Sequence, residues 1–219
     1  NGGNRNLGLI NVYYLNGISW QQKGNMITID NMDSLGVRIP RYIRLNSFTT
    51  CINKDGTIIA LANPFQTNIV TGEYGSGLIR LFQWSSESDS WSQMGHDITH
   101  DISGNTDSLL GYSMSLNDIG NILVVGSPGV DKDNNNTNSG VVKIYTWDND
   151  TQWIQLGQNI YGETLNDKAG TTVSLSHDGS TIAIGIPLTP HTNSNQVRIL
   201  RWSANDNAWT CLLYTSDAA

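Results

Sequence analysis

One stretch recurs three times in this chain, as TTCINKDGTIIALANP ending at Pro64, SMSLNDIGNILVVGSP ending at Pro128 and TVSLSHDGSTIAIGIP ending at Pro187. The prolines lie 64 and 59 residues apart. A period of that size demands a unit that stacks on its neighbours, because a single copy cannot bury its own apolar face. After a polar loop of varying length, each copy runs into GLIRLFQW (Gly77 to Trp84), GVVKIYTW (Gly140 to Trp147) or NQVRILRW (Asn195 to Trp202). GLINVYYL (Gly8 to Leu15) is a further copy of that second half alone. A second tryptophan follows each time, opening WQQKG at Trp20, WSQMG at Trp91 and WIQLG at Trp153. At Trp209 the pattern fails, and the chain reads WTCLLYTSDAA.

Each unit holds four short apolar runs rich in Val, Ile and aromatic residues, with Asp-Gly or Asn-Asp clusters between them. These are strand lengths and hairpin punctuation. No segment has a helical period. TIIALA, NILVVG and TIAIGI are apolar at nearly every position, which predicts a strand covered on both faces. Four antiparallel strands in a unit of about 60 residues, one of them covered on both sides, meet the requirements of a β-propeller blade. The fold class expected is therefore all-β, a propeller fragment of about three and a half blades. The expected boundaries are 1–36 for the C-terminal part of a blade, 37–111 and 112–170 for two blades, and 171–210 for a truncated one.

Composition supports this reading. The chain has 219 residues, 38% of them hydrophobic and 14% charged, with seven Trp and eight Tyr to bury. The net charge of -7, without a run of Lys or Arg, argues against a nucleic-acid partner, whose phosphates need a basic face. No apolar stretch approaches the roughly 20 residues that span a bilayer. Cys51 occupies a column filled by Ser115 and Ser174 in the other copies, as a small strand residue would. No disulfide framework is expected.

The order S-x-D-G, IAIG-x-P, polar loop, G-x-V-x-I-x-x-W, W-x-Q-L-G and GETLNDKAGTTVSLS resembles the FG-GAP-like repeats of integrin-type β-propellers, as found in repeat proteins of marine microbes. The resemblance covers residues 1 to 210. It implies a complete ring that is commonly seven-bladed, of which this chain would be a fragment. CLLYTSDAA (Cys211 to Ala219) looks like the translation of a sequencing-library adapter, so residues 211–219 are expected to be an adapter-derived tail. One departure concerns calcium. Integrin-type repeats bind it through several acids between the first two strands, whereas NKDG (from Asn53), NDIG (from Asn117) and SHDG (from Ser176) hold one carboxylate each. They read as tight turns, not as cages of six to eight oxygens.

Other constellations are weaker. DKDNNNTNSG (Asp131 to Gly140) starts like a calcium loop, but Asn136 and Val142 stand where an EF-hand needs Gly and Glu. HDITHD (His96 to Asp101) offers paired His and Asp without a further ligand. No metal site and no cofactor are expected. Arg80, Lys143 and Arg198 share a column, readable as a basic ring facing an anion or as ion pairs with acids such as Glu163 or Asp167. Trp84 with Trp91, Trp147 with Trp153, and Trp202 with Trp209 bracket hairpins, where opposed aromatics pack a sheet or offer a sugar platform. TWD at Thr146 lacks the period of WD repeats. Asn135 and Asn149 head N-x-T triplets, glycan acceptors if the chain is secreted by a eukaryote.

The function expected is that of a non-catalytic extracellular or cell-surface propeller that binds or adheres to a protein or polysaccharide. The resemblance places the ligand face on the loops joining strands two and three and on those joining blades. Glu73, Tyr74, Asp131, Asp133 and His191 are the candidate contacts. The alternatives are a structural repeat array in a larger surface protein and a fragment of a propeller hydrolase or lyase. The enzyme reading lacks a unique acid, base or nucleophile cluster.

Overall fold

The computed structural model describes residues 8–29, 48–66, 75–99, 107–148, 151–187 and 195–216. Every regular element among them is a strand, and every pairing between strands is antiparallel. Two small hairpin-like sheets come first and together stand in the place of a first sheet: β1 (Gly8–Ile10) pairs with β4 (Ile27–Ile29), and β2 (Tyr13–Leu15) with β3 (Trp20–Gln22). The second sheet has β5 (Thr49–Ile52), β6 (Ile58–Asn63), β7 (Leu78–Ser85) and β8 (Ser90–Gln93) in sequence order, with β9 (Ile98–Thr99) completing the outer edge along β7. The third repeats this with β10 (Ser113–Leu116), β11 (Ile122–Ser127), β12 (Val141–Trp147), β13 (Trp153–Gln155) and β14 (Ile160–Tyr161). The fourth contains β15 (Thr172–Leu175), β16 (Thr181–Ile186), β17 (Gln196–Ser203) and β18 (Ala208–Ser216).

The apolar second strands explain the stacking. Side chains alternate across a strand, so a strand apolar at every position carries two core faces. On β6, Ile59 and Leu61 pack toward the first hairpins with Val12 and Ile27, whereas Ile58, Ala60 and Ala62 pack toward the third sheet with Leu123 and Val125. On β11, Leu123 and Val125 look back, and Val124 looks forward into a core with Ile182, Ile184 and Ile186 of β16. Each sheet thus has a forward face buried against the backward face of the next, and the sequence supplies that arrangement through period two alone.

The W-x-Q-x-G run acquires a physical reason. Its Gln donates Nε2 to the Gly carbonyl two residues on, from Gln22 to Gly24 at 3.0 Å, Gln93 to Gly95 at 3.1 Å and Gln155 to Gly157 at 3.0 Å. Those glycines have φ of 70°, 78° and 78°, a region most side chains avoid. The left-handed turn breaks the outer strand in two, which is why β8 and β9, or β13 and β14, are separate. A Cβ there would also strike the next unit's tryptophan: 2.7 Å from Trp147 at Gly95 and 2.7 Å from Trp202 at Gly157. In the last copy Leu213 occupies this column. There β18 runs on unbroken as far as Ser216, pairing with β17 with one irregularity at Ile199 and Leu200.

The turns between first and second strands form a linked series. Gly56 donates to the Asn53 carbonyl at 3.1 Å, Gly120 to Asn117 at 3.1 Å and Gly179 to Ser176 at 2.9 Å, closing four-residue turns. Neighbouring turns then join, through Lys54 N to the Asp118 carbonyl (3.3 Å), Asp118 N to the His177 carbonyl (2.9 Å) and the Lys54–Asp118 ion pair at 3.0 Å. In the last turn the hydroxyl of Ser176, with the backbone and hydroxyl of Ser180, holds the Asp178 carboxyl far below the usual carboxylate range. First strands are bridged as well: Leu175 N donates to Ser115 Oγ at 3.2 Å, and Cys51 receives the amide of Leu116 in the same way. This contact asks for a small side chain with an acceptor, which accounts for Ser and Cys in that column. Burial pushes the Cys51 thiol up to about 12, so it stays protonated and unreactive. Exposed Cys211 is expected to react with a disulfide reagent at pH 8 within minutes, while Cys51 is modified only when denaturant is added; equal rates would contradict the packing.

Candidate binding face

The loops between second and third strands meet those between successive units at one end of the sheets. In the second unit, Leu109 N donates to the Gly75 carbonyl at 2.7 Å, and buried Ser108 bonds the carbonyls of Gly75 and Ser76. In the third, Asn166, Lys168 and Ala169 donate to the carbonyls of Thr137, Asn138 and Ser139 at 3.0, 3.0 and 2.9 Å. Gly77 with Leu110 and Gly140 with Ala169 extend the contact as isolated parallel bridges. Two loop families far apart in the chain therefore form one surface.

Asp167 organises the inter-unit loop. Buried, it accepts the amides of Glu163 (2.7 Å) and Thr164 (2.9 Å) and the Thr164 hydroxyl (2.5 Å). Such a carboxylate satisfied by N–H and O–H donors fixes the loop without a cation. Glu163 remains free to pair with Arg198 at 3.2 Å, and Arg198 also donates to the Tyr161 carbonyl at 2.9 Å. Arg80 makes a bidentate pair with Asp97, both contacts at 2.7 Å. Lys143, the third member of the column, is buried and engaged. Arg80 thus pairs within its own sheet, whereas Arg198 of β17 reaches back to the loop after β14 of the preceding sheet.

Of the candidate contacts, Asp131 and Asp133 lie on the loop of the third unit. Asp131 accepts the amide of Asn138 at 2.6 Å. Asp133 accepts the amides of Asn135 (2.9 Å) and Asn136 (3.0 Å) and the Asn136 side chain, contacts that depress its carboxyl below the ordinary value. Their first work is therefore local, shaping a ten-residue loop through Asx-type turns. Glu73, Tyr74 and His191 fall outside the described residues, as do His100, Asp101 and Asn149. Asn135 is exposed on the loop surface. Among the described residues no three His, Cys, Asp or Glu side chains are placed together to hold a metal ion.

A concavity lies between the outer strands of the second and third sheets. It encloses about 310 Å³ and is lined by His96, Asp97, Tyr145, Gln152, Trp153 and Gln155, among others. Sequence reasoning missed it. A signal was present: His96 stands where Asn25 and Gln158 accept the backbone amides of Trp91 and Trp209 at 3.0 Å. The Nε1 of Trp153 is buried without a partner, whereas those of Trp91 and Trp209 bond the carbonyls of Lys23 and Leu156 at 3.0 Å. The tryptophan pairs are sheet packing, with centroids 5.4 to 5.6 Å apart and tilted rings, and Lys23 Nζ lies 5.3 Å over Trp84.

No protein-family model matches this chain, and no curated protein does. Solved structures do resemble it. A Bacteroides uniformis protein described as a 6-phosphogluconolactonase superposes over 98% of this chain with a TM-score of 0.51 at 15% identity. A KlHsv2 variant with one loop replaced by a Gly-Ser linker covers 76%, with a TM-score of 0.43 at 13% identity. The chain spans 55% of the first and 44% of the second. The first likeness concerns the fold, an all-β assembly of antiparallel sheets. No helix is long and apolar enough to cross a membrane among the described residues.

Proposed function

We propose that this chain is an arc of β-propeller blades of the FG-GAP-like kind, acting as a non-catalytic binding module of a cell-surface or extracellular protein. The observation carrying the proposal is the joined loop surface. Loops of differing length and composition, Phe65 to Ser76, Gly129 to Ser139 and Leu188 to Asn195, stand on a repeated framework. In the second and third units they are bonded to inter-unit loops. Variable loops on a constant frame are how a scaffold presents contact groups. The ligand class that suits an acidic, Asn-rich loop with Asp133 and its neighbours exposed is a polysaccharide or a polar protein segment.

A labelled preparation of the chain, applied to immobilised glycans and matrix proteins, tests this reading. Binding is expected to fall about tenfold when Lys132, Asn134 and Asn135 are all replaced by Ala, the scale of a lost contact cluster. Binding that survives loop replacement, or none to any surface, would count against it. The solved structure described as a lactonase supplies the opposing test, since 15% identity carries the fold and not the activity. Hydrolysis of a sugar lactone above the background rate would establish the enzyme reading instead.

A further inference from the structure

The junction between the second and third sheets lacks a clasp that its two neighbours have. Trp147 gives its amide to the Asn121 carbonyl at 2.9 Å, so Trp153, directly opposite it in the ladder, turns its own N–H and C=O away from β12. Trp91 and Trp209 are placed in the same way, and there the preceding sheet answers them. Asn25 Oδ1 accepts the Trp91 amide at 3.0 Å. Gln158 takes both groups of Trp209, accepting its amide through Oε1 at 3.0 Å and donating Nε2 to its carbonyl at 2.8 Å. At Trp153 that column holds His96. The two ring nitrogens of an imidazole point to different edges and cannot meet the N–H and C=O of one residue together, and among the described residues no hydrogen bond joins His96 to Trp153. The Trp153 indole Nε1, buried and without a partner, is a further donor that this junction leaves unanswered. The cleft of about 310 Å³ lies here, with His96, Ile98, Tyr145 and Trp153 in its lining.

We propose that this cleft binds a small molecule carrying a primary carboxamide, held by Trp153 as Gln158 is held by Trp209. The ligand's carbonyl oxygen accepts the Trp153 N–H, and its amide nitrogen donates to the Trp153 C=O. The molecule thus carries the template for the ligand in its own next junction. A peptide bond does not fit, because its trans geometry turns N–H and C=O to opposite sides. A carboxylate lacks the donor. The volume is at the small end of the range for small-molecule sites, about 300 to 1,000 Å³, and Ile98, Tyr145 and Trp153 supply the apolar wall usual in such sites. Asp97 also lines the cleft, but its charge is met by Arg80 at 2.7 Å, which suits a neutral head group over an ionic one. The site shares no residue with the variable loops, so it is independent of the loop surface.

Titration of the isotope-labelled chain with nicotinamide, read by NMR at the backbone and indole N–H signals of the tryptophans, tests this. Saturable shifts are expected at Trp153 and not at Trp91 or Trp209. The N-methyl amide of nicotinic acid, whose methyl replaces the hydrogen beside the carbonyl, is expected to bind at least about tenfold more weakly. His96→Gln supplies the clasp from within the chain and is expected to lower nicotinamide affinity at least about tenfold. His96→Ala leaves the clasp unmade and is expected to keep the affinity within about threefold. Circular dichroism checks that each variant is folded; if His96→Gln is not, His96→Asn, with the residue type of Asn25, reads the same position. No saturable shift at Trp153, equal binding of the N-methyl amide, binding unchanged when the clasp is supplied, or an equal loss in His96→Ala would overturn the proposal.

Discussion

Alanine at Gly140 is expected to destabilise the fold by about 2 to 5 kcal/mol, a large share of the stability of an ordinary domain. Gly140 has φ of 77°, where a side chain costs about 1 to 2 kcal/mol. Its Cβ would also strike the Ala169 carbonyl and come within 2.5 Å of the Ala169 amide nitrogen. Both are backbone atoms of the inter-unit loop, which cannot swing aside as a side-chain end could. Displacing them adds about 1 to 3 kcal/mol and breaks the short parallel contact that joins the two loop families. Gly17 supplies the control: its φ is 94°, but a Cβ there meets nothing within 4 Å. Gly17→Ala is expected to cost about 1 kcal/mol. Urea unfolding midpoints for the two variants separate the backbone cost from the packing cost, and equal values would mean that the close approach at Gly140 is not rigid.

Truncating Trp209 to alanine is expected to cost about 3 to 5 kcal/mol, whereas Trp20→Ala changes the stability of the isolated chain by less than about 1 kcal/mol. The two residues occupy the same column of the repeat. Trp209 is 3% exposed, packs on Trp202 at 5.4 Å and donates its indole N–H to the Leu156 carbonyl at 3.0 Å. Trp20 is 69% exposed, with no sheet against it among the described residues. Thermal unfolding at low protein concentration reads the difference. Equal losses would show that the tryptophan stabilises its own hairpin and not the junction between units.

Much of the frame was legible from residue order. Opposed tryptophans, Asp-Gly and Asn-Asp turns, and second strands apolar at every position translate directly into register and burial, because side-chain direction along a strand is fixed by the pleat. The Trp84–Trp91, Trp147–Trp153 and Trp202–Trp209 pairs sit directly opposite one another in the ladders. The ion pair of Arg198 with Glu163 was likewise readable as one of two options, but the role of Asp167 was not. A carboxylate that accepts the amides of its own loop looks the same in sequence as one that faces an arginine. The cleft at His96 left one trace in the sequence, His96 in the column of Asn25 and Gln158, but its meaning depends on the tryptophan across the junction.

What the sequence determined by itself is the unit: strand lengths, the two-faced second strand, and the columns in which Trp, Gln and Gly recur. Those follow from local periodicity, and local periodicity survives in any arrangement of the copies. The tertiary structure decided the relations between units: which loops share hydrogen bonds, that first-strand turns chain together through Lys54, Asp118 and His177, and that Trp20 stays exposed while Trp91, Trp153 and Trp209 do not. The physical reason is that identical side chains at equivalent positions differ only in what lies across from them. Burial is a property of the pair of faces, and a pattern of residues in one face does not contain the other.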